Sequence, residues 1–320
     1  MFEEMTKKIA EIGVVPVVVI NDSAKAVPLA KAILKGGINT IEVTFRTNAA
    51  EESIKLIHNA IPEMVLGAGT VITIDQAKKA VDAGSKFIVS PGLDGDIVQW
   101  CKKNEVAVIP GVCTASEVQS AVKMGLNTLK FFPAEASGGV NMIKNLCSPF
   151  PQVKFMTTGG ISPTNLAEYA ACEHVLAVGG SWMVKSSLIE TENWDEITRL
   201  CREAILKAQG FEFIHFGINT NSIDDAKKAA LGFASFGMDA RIGNSSTFMD
   251  TTIELMHSQF RGTHGHIGYR CFNVERSLKY LSSYGFTPAK DTIKLDSKGR
   301  IKVVYLNEEI EGFAIHLVRA

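Results

Sequence analysis

Thr128-Leu129-Lys130-Phe131-Phe132-Pro133 is the stretch on which the reading of this chain turns. In a strand, alternate side chains share a face, so Thr128, Lys130 and Phe132 point one way and Leu129 and Phe131 the other. Lys130 is then a lone cation in an apolar strand. Desolvation there favours the neutral amine, the nucleophilic form, which can condense with a keto group to a Schiff base. From this strand alone, a lysine snorkelling from the strand end into solvent is the better reading. The rest of the chain has to change that.

Outward from this strand, one pattern repeats about eight times between Val14 and Gln209: an apolar run, a turn residue, an amphipathic segment. The other runs are Val14 to Ile20, Thr40 to Phe45, Val65 to Val71, Phe87 to Ser90, Ala107 to Val112, Lys154 to Thr158 and Leu176 to Gly179. Helical patterns such as Ser23 to Lys35, Asp75 to Ala83 and Thr114 to Met124 lie between them, with Asp75 and Ser23 or Asp22 as N-caps and Gly36, Gly84 and Gly125 at the stops. Strict alternation predicts a parallel sheet covered by helices, and eight units in this length predict a closed (β/α)8 TIM barrel; a doubly wound open sheet is the alternative. The helical pattern Trp194 to Gln209 closes the series and Gly210 marks a boundary, giving domains 1–209 and 210–320.

Composition narrows the partners. With 46% hydrophobic residues and a net charge of −1, the chain reads as globular, with no nucleic-acid or membrane-surface signature. The six cysteines are scattered without a Cys-x-x-Cys pair, and Met1 to Glu11 is charged, without the apolar run of a signal peptide; both favour a cytoplasmic protein.

A barrel's site lies where strands end. Glu42, Thr44 and Arg46 share one face of the second strand, either as a structural ion pair or as catalytic groups. Gly67-Ala68-Gly69-Thr70, Ser90-Pro91-Gly92 and Pro110-Gly111 end the next strands. Thr158-Gly159-Gly160 and Gly179-Gly180-Ser181 put small residues and free N–H groups after strands seven and eight, where barrels often hold phosphate.

Taken together, Ile41-Glu42-Val43-Thr44-Phe45-Arg46-Thr47, Gly67-Ala68-Gly69-Thr70-Val71, Ser90-Pro91-Gly92, Lys130-Phe131-Phe132-Pro133-Ala134-Glu135, Thr158-Gly159-Gly160-Ile161 and Gly179-Gly180-Ser181-Trp182 closely resemble the 2-keto-3-deoxy-6-phosphogluconate (KDPG) and 4-hydroxy-2-oxoglutarate (KHG) aldolase family. The resemblance implies a class I aldolase, metal-free and commonly homotrimeric, acting on small 2-oxo acids. It implies Lys130 as Schiff-base lysine, Glu42 as general acid and base, and Arg46 with Thr70 as holders of the pyruvate carboxylate. It further implies Pro91 and Phe132 around pyruvate, Thr158 beside the hydroxyl-bearing carbons, and Gly159, Gly160, Gly180 and Ser181 at phosphate. Two positions depart from it. Phe45 replaces a common leucine, and Thr157 stands where many members have proline. A phosphate-ligand binding protein without turnover is the alternative, and the joint presence of Lys130, Glu42 and Arg46 argues against it.

The tail repeats itself. His215-Phe-Gly217-Ile is echoed by His266-Ile-Gly268-Tyr at an offset of 51, and Phe236-Gly237-Met238 by Tyr284-Gly285-Phe286 at 48. Each half reads as strand, helix, then about three strands, an α+β paired βαβββ domain. It resembles the vicinal-oxygen-chelate (glyoxalase-like) family. That likeness implies His215, Glu254, His266 and His316 as ligands of a divalent metal, with His316 in place of the usual glutamate. Either the tail holds a metal, making the chain bifunctional, or the repeat retains these polar residues without one.

Overall fold

The computed structural model describes residues 2–320, which divide into the units Met1–Ala208 and Gln209–Ala320. The first unit carries β1 (Val14–Val18), β2 (Thr40–Thr44), β3 (Val65–Gly69), β4 (Phe87–Val89), β5 (Ala107–Ile109), β6 (Gly111–Val112), β7 (Thr128–Phe131), β8 (Lys154–Thr157) and β9 (Val175–Gly180), with helices between them. All pairings are parallel, in the order β5-β4-β3-β2-β1-β9-β8-β7-β6. The two ends of this sheet are consecutive in sequence. Pro110 separates β5 from β6, and its carbonyl accepts from Lys130 N at 2.8 Å. Proline has no N–H to offer a ladder, so one run becomes two short strands and the cylinder closes around them. The fold is a TIM barrel, as the alternation predicted.

Strands buried on both faces need apolar side chains throughout, and β1, Val-Val-Pro-Val-Val, is buried at every position. Inside, Val15, Phe87, Val89, Ala107, Ile109, Met156 and Ala177 meet in one cluster with Ile9 of the helix Phe2–Ile12. That helix therefore closes one end, and burying Ile9 contributes about 1.5–3 kcal/mol. Among the caps, Thr73 rather than Asp75 begins the helix Ile74–Asp82, accepting from Gln76 N, while Asp75 instead pairs with Lys79 at 3.0 Å. Threonine and aspartate are both good N-caps, so the sequence could not rank them.

The second unit is one mixed sheet of β10 (Glu212–Ile218), β11 (Ala240–Ile242), β12 (Ser246–Met249), β13 (Ile253–Met256), β14 (Gly265–Cys271), β15 (Lys294–Leu295), β16 (Ile301–Ile310) and β17 (Phe313–Arg319), in the order β11-β12-β13-β10-β14-β17-β16-β15. The helices Ile223–Ala234 and Val274–Ser282 follow β10 and β14, so each half is βαβββ. In each half the first strand pairs in parallel with the last, and β10 and β14 join the halves antiparallel. One helix covers each half: Ala226 and Ala230 pack on Met249 and Leu255, and Val274 packs on Val304 and Leu317. By the period of two, Phe248, Glu254, Tyr305 and His316 face the other side. No helix among the described residues is long and apolar enough to cross a membrane.

Candidate active site and candidate metal centre

Lys130 sits on β7 at 4% exposure and Glu42 on β2 at 0%, with Nζ and Oε1 3.8 Å apart. That gap is too long for a hydrogen bond and short enough for strong electrostatic coupling. Neither Glu42 oxygen has a hydrogen-bond partner among the described residues. Burial pushes its carboxyl above the ordinary carboxylate value, against the lowering pull of Lys130 and Arg46. Gly69 makes room for it: a Cβ there would lie 2.0 Å from Glu42 Oε1. The Phe132 ring centroid lies 4.9 Å from Lys130 Nζ, the geometry of a cation–π contact and consistent with a shared face.

Arg46 lies past the end of β2, in the following turn, rather than on the strand with Glu42 and Thr44. The period-two argument stops where the strand stops. Thr44 turns its hydroxyl to the Val18 carbonyl at 2.8 Å and serves the barrel wall. Arg46 Nε donates to Thr70 Oγ1 at 3.1 Å, and Thr70 holds a left-handed φ of 55°. That conformation is costly for a β-branched residue and marks a place that the surrounding structure holds in tension.

One open cavity is lined by Arg46, Phe132, Thr158, Gly159, Gly160, Gly180 and Ser181, together with Val17, Val19, Ile161, Trp182, Val184, Lys185 and Ser186. Gly159 and Gly160 have φ of 105° and 80°, which favours glycine at both. Their loop is clipped to the exit of β7: Ala134 N and Glu135 N donate to the Thr158 and Gly159 carbonyls at 2.9 and 3.0 Å, and Tyr169 donates its hydroxyl to Glu135. Pro91 stands outside that lining, at the exit of β4 with its carbonyl against Gly111. Lys185 was missed from sequence. It is an exposed cation at the glycine rim, and its signal was its place four residues after Ser181 in the last strand-end motif.

In the second unit, side chains from the first and last strands of both halves converge. His215 Nε2 lies 3.1 Å from both His266 Nε2 and His316 Nε2, and Glu254 Oε2 lies 3.1 Å from His266 Nε2 and 3.4 Å from His215 Nε2. One imidazole nitrogen can donate to a single neighbour, so hydrogen bonding does not account for three partners around His215 Nε2. Donors held about 2.0–2.1 Å from one tetrahedral ion stand about 3.3 Å apart, which matches the spacing of His215 from His266 and His316 and of Glu254 from His215 and His266; the three imidazoles form the mutually close set. Burial, with the other two histidines adding, pushes His316 down to about 3, and burial also lowers His215. Both are thereby kept in the neutral, ligating form. Glycines alternate with these ligands across the sheet: a Cβ on Gly217 would lie 2.1 Å from the His266 ring, and one on Gly268 2.6 Å from His316 Nε2. The buried Nδ1 atoms of His266 and His316 have no hydrogen-bond partner among the described residues. Ring orientation rests on packing, with Tyr305 stacked on His316 at 4.8 Å and 18°.

A closed parallel barrel with a buried lysine and carboxyl at strand ends beside a glycine-rimmed cavity defines the architecture of a Schiff-base aldolase. Comparison with known proteins names the family. The KDPG and KHG aldolase profile matches residues 5–200, and the chain belongs to that family. It is 46% identical over 197 residues to the 2-dehydro-3-deoxy-phosphogluconate aldolase of Pseudoalteromonas atlantica, a match covering 62% of this chain and 92% of that protein. It is 43% identical over 192 residues to the KHG/KDPG aldolase of Escherichia coli K12, covering 60% and 90%. Among solved structures, the KDPG aldolase of Legionella pneumophila, with pyruvate captured as a covalent carbinolamine, aligns with a TM-score of 0.61 at 42% identity, covering 62% of this chain and 97% of that one. The Zymomonas mobilis enzyme with 3-phosphoglycerate aligns at 0.59 and 40%, covering 64% and 96%.

Proposed function

We propose that the barrel catalyses the reversible cleavage of KDPG to pyruvate and glyceraldehyde 3-phosphate, and also cleaves 4-hydroxy-2-oxoglutarate to pyruvate and glyoxylate. The observation that carries this reading is the buried Lys130–Glu42 pair, 3.8 Å apart, in a member of this family. Breaking the C3–C4 bond leaves an electron pair on C3, which needs a sink. Lys130 Nζ adds to the C2 carbonyl, and loss of water gives an iminium that is that sink. Glu42 takes the C4 hydroxyl proton as the bond breaks and the aldehyde leaves, then returns the proton to C3 of the enamine. Water releases pyruvate and restores the amine. Arg46, steadied by Thr70, offers its fork to the 2-oxo carboxylate. The N–H groups of Gly159, Gly160, Gly180 and Ser181, with Lys185, would receive the phosphate, while Phe132 flanks pyruvate and Thr158 the hydroxyl-bearing carbons; for Pro91, outside that lining, a place beside pyruvate rests on family likeness alone.

Steady-state pyruvate release tests this on both substrates. The full chain should turn over each, Glu42→Gln should lower kcat by about 10²–10⁴-fold, and Lys185→Ala should raise KM for the phosphorylated substrate alone. No pyruvate from either would contradict the reading. Family likeness also supports a homotrimer, which light scattering on the full chain would report as three chain masses. The six free cysteines fit a reducing cytoplasm.

For the second unit we infer a vicinal-oxygen-chelate (glyoxalase-like) module whose His215, Glu254, His266 and His316 hold a divalent metal. A metal bound there would polarise a substrate oxygen. The repeated βαβββ order and the three converging imidazoles, with Glu254 beside two of them, support this. Purified chain should carry stoichiometric zinc, nickel or manganese, lost in His215→Ala and kept in Lys130→Ala. A metal-free chain that takes up none of these ions would contradict it.

A further inference from the structure

The four converging donors of the second unit are not equally covered. His266 and His316 are 1% and 5% exposed, and Tyr305 lies flat on His316, which shuts the β16 side. The side chains of His215 and Glu254 are 12% and 15% exposed, so the quartet opens toward β13, β12 and β11. On that side a row runs across the sheet: Glu254 is the cross-strand partner of Phe248, and Phe248 of Arg241, so the three share one face. The Phe248 ring meets the His215 imidazole edge-on at 5.8 Å, and the Arg241 guanidinium lies over the same ring, 5.7 Å from its centroid. One phenyl ring thus separates a cation from the ligand cluster. Arg261, Arg270, Arg300 and Arg319 all pair with carboxylates, and Arg276 is buried. Arg241 has neither an ion pair nor a hydrogen bond among the described residues and stacks on Phe248.

Resting on the metal reading above, we propose that this site takes an open-chain oxo acid with an anionic group at each end, and that Arg241 is its specificity residue. A divalent ion held by three neutral imidazoles and one carboxylate keeps a net positive charge, which favours an anionic chelating end such as a 2-oxo carboxylate. The chain of the ligand lies along the Phe248 ring, and its far carboxylate or phosphate meets the Arg241 guanidinium. Phe248 keeps the guanidinium facing the cluster through the cation–π contact.

The test uses full chain carrying Lys130→Ala, so that the barrel cannot condense with the probes, loaded with cobalt(II). The visible cobalt bands report ligand binding at the metal. 2-Oxoglutarate and 2-oxovalerate are titrated; they chelate alike and differ in the far carboxylate. With Arg241 present, 2-oxoglutarate should bind about tenfold more tightly or better, the size of one charge-assisted pair. In Arg241→Met the two should bind alike, and Arg241→Lys should keep part of the difference. Equal binding of the two probes with Arg241 present, or a preference that survives Arg241→Met, overturns the assignment while leaving the metal site standing. Failure to take up cobalt overturns both.

Discussion

At the residue scale the proposed barrel chemistry depends on a carboxyl whose pKa burial holds above its ordinary value. Glu42 has no hydrogen-bond donor among the described residues, and burial outweighs the two nearby cations in raising its pKa. Its folded-state pKa exceeds the unfolded value, so the folded state binds the extra proton and stability falls as pH rises from about 4.5 toward the raised native value. Glu42→Gln removes that loss. Melting curves should show the variant gaining on the parent as pH rises through this window, while pyruvate release collapses; a gap independent of pH would contradict the assigned burial. Lys130, Glu42 and Arg46 stood out by residue type near strand ends, but their proposed roles came from the family resemblance, and Arg46 falls beyond the strand on which the alternation put it. The reason Gly69 is glycine was not, because the clash it avoids is with a side chain 27 residues away in sequence that only the barrel brings near.

At the element scale, the apolar runs and their glycine stops located the strands, because a parallel barrel strand is buried on both faces and its sequence shows it. What the runs hid was the break at Pro110, where the ladder reaches Lys130 through a carbonyl. They also hid the end of β2 before Arg46, since turn residues can continue an apparent alternation. Thr157 stands at the end of β8. Its hydroxyl is buried and has no hydrogen-bond partner among the described residues. Thr157→Val should therefore stabilise the chain by about 1 kcal/mol, raising Tm by about 2–4 °C. A lower Tm would show that the hydroxyl is satisfied. In the second unit, the offset repeat predicted both βαβββ halves, but the roles of Gly217 and Gly268 needed the sheet register that brings their neighbours' imidazoles over them.

At the scale of the whole molecule, the two units for which separate chemistry is proposed share one chain. Every group in the proposed aldol route is a side chain or backbone N–H of the barrel, whereas the converging imidazoles lie in the other unit. Stripping divalent ions with a chelator should leave pyruvate release unchanged; activity lost to the chelator and restored by metal would contradict that division. The central claim, that Lys130 bonds covalently to the oxo acid, is tested most directly by reducing the full chain with borohydride in the presence of pyruvate and mapping the adduct by mass spectrometry. The account predicts one pyruvate-derived adduct, on the peptide carrying Lys130 and absent from Lys130→Ala. An adduct on another lysine, or none at all, would contradict it.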